Sequence, residues 1–178
     1  MRINSWSQQA FTLIELVMVM IILAVLAVVV APKFINLKTD SKTAILESLG
    51  GAMQEGLRLV YIQSALENKT TGNTEITYLG HPLPIYNGYP AVDGGDSFEE
   101  LNQQVQAWLD IDSVALTTII ADNDAAPFFV DKSTALNRIY IFYSEDLADK
   151  SVFFNCHALY TNQENGSGPS VTIKTSDC

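Results

Sequence analysis

The chain has 178 residues, of which 48% are apolar and 17% charged, so it can bury a core and disorder is excluded. Ten Lys and Arg against twenty Asp and Glu give a net charge of −10, which repels nucleic-acid phosphates, and no local basic run offsets it. Two cysteines are too few for a disulfide scaffold and lack zinc-finger spacing.

The apolar content is concentrated near the start. From Leu16 to Ala31 the sequence holds no polar residue, and a helix from Phe11 to Ala31 would be about 30 Å long, close to the thickness of bilayer hydrocarbon. A removable secretory signal is a poor fit. The preceding residues offer only Arg2 as a basic start, and the nearest small-residue cleavage site, ending at Ala31, is followed by Pro32. The segment is expected to stay. Arg2 before it and Lys33, Lys38 and Lys42 after it leave its orientation open by charge alone.

Glu15 is the odd residue of the block. A carboxylate inside an apolar span costs roughly 2.5–3.5 kcal/mol near the bilayer centre and is usually functional. Its place near the helix N-terminus, where the dipole favours an anion, explains why it is tolerated. It does not explain why it is there.

Ala10-Phe11-Thr12-Leu13-Ile14-Glu15-Leu16 with the apolar run behind it resembles the processing motif of type IV pilins and of the related type II secretion pseudopilins. The continuation from Ala31 through Pro32 and Lys33 to Leu37 is similar to the mannose-sensitive haemagglutinin type within that family. The resemblance implies a leader of residues 1–10 cut between Ala10 and Phe11, with methylation of the new amine at Phe11. Ala10 stands where the family usually has glycine. It also implies a role for Glu15: paired with the Phe11 amine of a neighbouring subunit, the carboxylate would fix register, because a misplaced subunit leaves both charges unpaired.

Beyond the span, Pro32 is expected to interrupt or kink the helix. Ile45, Leu49, Met53, Leu57, Val60 and Tyr61 then recur at helical steps, a single apolar stripe running to about Leu66. Gly50, Gly51 and Gly56 weaken that helix and point to bending or close packing. Residues 74–96 read as loop, rich in Pro and Gly. Ser97 and Glu100 have capping-box spacing ahead of a short helix with Phe98, Leu101, Val105, Trp108 and Leu109 on one face. From about residue 135 the pattern turns to strands, at 139–143, 152–160 and 171–174, an antiparallel meander.

Cys156 falls in the middle strand of that meander and Cys178 at the last residue. Residue chemistry alone leaves open a buried thiol at Cys156 and an unrelated one at Cys178. Exported pilins commonly carry a C-terminal disulfide, so the resemblance implies a Cys156–Cys178 bridge. His81 and His157 are isolated, with no nucleophile elbow, zinc motif or phosphate loop, so no enzyme activity and no cofactor is expected. Asp93 to Asp96 and Asp122 to Asp124 have the composition of turns, and no metal site is assigned to them.

The expected fold class is α+β: leader 1–10, membrane and filament-core helix 11–31, and a pilin head over 32–178. That head would hold an amphipathic helix at about 39–66, loop and short helix over 67–134, and sheet over 135–178. The expected function is a structural subunit of a type IV pilus, with a type II secretion pseudopilin or minor pilin as the alternative. Expected partners are further copies of the chain, the prepilin peptidase and methyltransferase, the pilus assembly machinery and the inner membrane, and not nucleic acid. The expected location is the inner membrane, then an extracellular fibre, with the head in the periplasm or outside the cell.

Overall fold

The computed structural model describes residues 12–92, 95–151, 153–162 and 168–178. The chain is α+β and divides into two units, one up to Ser41 and one from Lys42 to Cys178. Helix α1, Leu13–Leu66, contributes to both.

In the first unit helical backbone is assigned on both sides of Pro32 and through it, so the proline does not break the helix. A proline removes one backbone donor, and the flanking i→i−4 bonds keep the ladder going.

The second unit opens with the remainder of α1, followed by β1 (Asn73–Tyr78), β2 (His81–Tyr86) and β3 (Tyr89–Pro90). Next come α2 (Phe98–Trp108), β4 (Ser113–Ala115), α3 (Leu116–Ala121), β5 (Phe128–Ser133) and β6 (Arg138–Tyr143). Strands β7 (His157–Asn162) and β8 (Pro169–Lys174) close the chain. β1-β2-β3 form an antiparallel sheet, and β4 to β8 a second sheet in sequential order, antiparallel except for the β4–β5 pair.

The three-stranded sheet lies where a loop was expected. Pro82 and Pro84 argued against a strand, yet both sit in β2. The Pro84 carbonyl accepts from Ala91 N–H, so the missing donors of Pro82 and Pro84 face the β3 side, where the neighbour is only two residues long. Both hairpins turn through consecutive positive φ angles, Leu79 and Gly80 in one, Asn87 and Gly88 in the other. That is the type I′ geometry whose twist suits a two-residue hairpin.

Other boundaries also move. The five-stranded sheet begins at Ser113, not near residue 135, and Cys156 precedes β7 instead of lying inside a strand. The buried stripe of α1 is Leu46, Leu49, Met53, Leu57 and Val60. Ile45 is exposed, and Tyr61 lies on the rim stacked on Tyr89 at 4.9 Å. With Ile76, Leu83, Ile85, Leu101, Val105, Ile139, Ile141 and Tyr160 this stripe builds the main core. A smaller cluster of Ile119, Phe129 and Phe142 occupies the other face of the five-stranded sheet.

Two of the three helix glycines have a packing reason. A Cβ on Gly56 would collide with the Trp108 carbonyl, and one on Gly50 would come within 2.7 Å of Ile173 Cγ1. Around Gly51 the space is open. Ser97 and Glu100 form the capping box of α2, each side chain accepting the other's backbone N–H.

Candidate functional site

The residues that carry chemistry at the start of the chain are Thr12 and Glu15. Thr12 precedes the first helical residue and Glu15 lies in the first turn. Glu15 Oε2 accepts from Thr12 N at 2.9 Å and from the Thr12 hydroxyl at 2.7 Å. In return Thr12 Oγ1 accepts from Glu15 N at 3.4 Å. This is a capping box: each side chain satisfies a backbone donor that the helix end leaves without a partner.

The sequence reading assigned Glu15 no partner in its own chain. The signal was available, because Thr12-x-x-Glu15 has the same spacing as Ser97-x-x-Glu100. Only one carboxylate oxygen is used. Glu15 Oε1 accepts no hydrogen bond among the described residues, so an acceptor stays available to a donor from elsewhere. Ala10 and Phe11, the expected cleavage and methylation positions, lie outside the described residues.

Behind this cap, Leu13–Ala31 is long and apolar enough to cross a membrane. Its 19 residues give about 28 Å of helix, near the thickness of the hydrocarbon layer. Its large side chains are exposed all the way round, from Leu13 at 81% to Val28 at 77%. Such a surface demands lipid or another apolar helix, since water around it would cost about 25 cal/mol per Å².

Residues 7–31 match the family model for the prokaryotic N-terminal methylation motif. The match covers the cap, the carboxylate and the apolar span, and supports a type IV pilin-like precursor with membrane anchoring. The motif implies processing by a prepilin peptidase, and proteins that carry it in the pilin-like family are structural. No curated protein and no solved structure matches the chain.

The remaining assigned residues lie apart from this segment in sequence and role. Cys156 and Cys178 are joined by a disulfide with Cα atoms 4.9 Å apart. It closes a loop spanning 22 positions around β7 and β8. Asp177 strengthens the closure by accepting from the Asn155 backbone N–H at 2.7 Å. Of the two acidic turns, Asp122 accepts from Asp124 N–H, an ordinary Asx turn. Asp93 and Gly94 of the other lie outside the described residues. His81 opens β2 exposed, whereas His157 is buried against the rings of Tyr140 and Phe142.

Proposed function

We propose that this chain is the precursor of a structural subunit of a type IV pilus. The reading is carried by one observation, the methylation motif running over residues 7–31 straight into an exposed apolar helix. A prepilin peptidase cuts between Ala10 and Phe11 on the cytoplasmic side, and the new Phe11 amine is methylated. Residues 11–31 then hold the subunit in the inner membrane, with residues 32–178 as a head on the far side.

Assembly turns this helix from lipid to neighbouring subunits. The Phe11 amine is a cation near pH 7, and in an apolar layer it needs a counter-charge. Glu15 of an adjacent copy supplies it, and Oε1, which accepts no hydrogen bond among the described residues, supports that role. A subunit in the wrong register would bury both charges unpaired. Pro32 is the place where the helix bends to fit the fibre. The similarity of residues 31–37 to the mannose-sensitive haemagglutinin type favours a surface fibre for adhesion or motility.

N-terminal sequencing of the membrane-bound or surface protein tests processing: the chain should begin at methylated Phe11, and a start at Met1 or beyond Pro32 refutes it. Labelling of the head on whole cells tests the rest. Label along surface fibres is expected of a major subunit, and label at tips makes it a minor pilin. Periplasmic label without surface fibres replaces the pilus with a secretion pseudopilus.

A further inference from the structure

Strand alternation places Asp131 and Ser133 of β5 on the same face as Arg138, Tyr140 and Phe142 of β6, away from the main core. At the Phe142 end this face is covered by Ile119, Leu147 and Phe154. Towards Arg138 it opens into a cavity of about 290 Å³, closed on one side by Lys150 and Ser151. A volume just under that of pockets for drug-sized ligands admits one ring, not an oligomer.

The charges of this cavity run against those of the chain. Two of the ten Lys and Arg, Arg138 and Lys150, belong to its face in a protein of net charge −10. Lys132 also borders it, but strand alternation turns that side chain to the other face, where Nζ donates to the Asp96 carbonyl. Lys150 is committed, its Nζ 2.6 Å from Asp131 Oδ2. The other Asp131 oxygen accepts from the Lys132 backbone N–H.

Arg138 is the surplus. Its Nε is buried without a hydrogen-bond partner, although a buried donor left unmade costs more than a made bond returns. A planar fork of donors that pairs with no acid among the described residues fits a carboxylate from outside. Beside it lies the half-buried Tyr140 ring, stacked on Phe142 at 6.0 Å, a flat apolar floor. Ser133 and Ser151 place hydroxyls on the rim. A carboxylate, an apolar ring face and several hydroxyls meet in one class of small molecule, the acidic sugars.

We infer that this cavity binds a single carboxylated pyranose unit, with its carboxylate on Arg138 and its ring face on Tyr140. The site belongs to the C-terminal unit alone and does not depend on the pilus reading.

The test is ligand-observed NMR on the full chain in detergent, with methyl glucuronide as probe and methyl glucoside as its neutral counterpart. A ligand of this size should bind with a Kd of about 1 mM, and the glucoside about tenfold more weakly. Arg138→Gln should erase the difference between the two, and Arg138→Lys should lose about tenfold because the fork is gone. Retention of the Cys156–Cys178 link and of the circular dichroism spectrum checks folding. Ser151→Trp, which blocks the mouth from an exposed position, should abolish binding even if the arginine variants fail to fold. Three results would overturn the inference: no glucuronide binding up to about 20 mM, equal binding of the glucoside, or binding unchanged in a folded Arg138→Gln. Displacement by acetate or inorganic phosphate at equal concentration would also overturn it, leaving a plain anion site.

Discussion

Lys42 Nζ lies 2.7 Å from Asp146 Oδ1 and 2.8 Å from Glu145 Oε1, with the Lys42 and Asp146 side chains each only 11% exposed. Tyr143 donates its hydroxyl to the Lys42 carbonyl at 2.8 Å, and the ammonium sits 5.1 Å from the centre of the same ring. Burial works against the ammonium, but the two carboxylates outweigh it and hold the Lys42 pKa above its usual value. The Tyr143 hydroxyl is pushed up to about 12 by burial and by the same carboxylates, so it stays a donor. This cluster joins the first residues of the C-terminal unit to the turn after β6.

Lys42→Met should therefore destabilise the C-terminal unit by about 3 kcal/mol, since it leaves Asp146 buried without its partner. Lys42→Met with Asp146→Leu should recover much of that loss. Because the folded pKa is raised, the stability from Lys42 is present below about 10.5 and lost as pH rises through the folded value. Denaturant midpoints of the three proteins, in detergent at pH 7, check the claim.

Cys178→Ser should lower stability by about 3 kcal/mol, the entropy of a loop spanning 22 positions released into the unfolded chain. The strands flanking the disulfide should then exchange their amides faster, while exchange in α2 changes less. Hydrogen exchange with and without reductant measures both.

Gly56→Ala and Gly51→Ala should differ in sign. The first puts a methyl into the Trp108 carbonyl and should cost about 2 kcal/mol. The second meets nothing within 4 Å and should stabilise the helix by up to about 1 kcal/mol. Thermal unfolding separates them.

His157 should make stability fall with acid. It is 5% exposed, its Nδ1 has no partner, and burial lowers its pKa, with the Phe154 backbone acting less strongly the other way. The unfolded chain takes up the proton first, so stability is full above about 6.5 and declines as pH drops below it. His157→Gln should flatten that part of the profile, and equal slopes for both proteins would exclude His157 as its cause.

Glu15→Gln should separate assembly from helix capping. The amide oxygen can still accept from Thr12, so the cap and the membrane segment should persist. Without the charge, fibres should be absent or rare while cleavage at Phe11 continues. Normal fibres from the variant would show that capping is the whole role of Glu15.

The apolar segment and its motif were legible in the sequence because they depend on composition and near-neighbour spacing. Sixteen residues without a polar side chain, Leu16 to Ala31, define a span whatever else the chain does. Ser97 and Glu100 announce a helix start through a contact three residues long. Asn87-Gly88 carried an equally local hairpin signal, but Pro82 and Pro84 masked it. Prolines are excluded from a strand only when their N–H side faces a full neighbour, and the shortness of β3 is a tertiary fact.

What decided the rest was separation along the chain. Whether Ile45 or Leu46 turns inward depends on which side of α1 the sheet covers, and both fit the same helical period. β4 pairs in parallel with β5 and reads as nothing by itself, because three residues show no alternation. Lys42 meets Asp146 across 104 positions. Arg138 Nε is buried without a partner, and Arg138 shares a cavity with Asp131 and Lys150, only once the chain is folded. Local spacing sets which elements can form; only packing sets which charges are left without a partner.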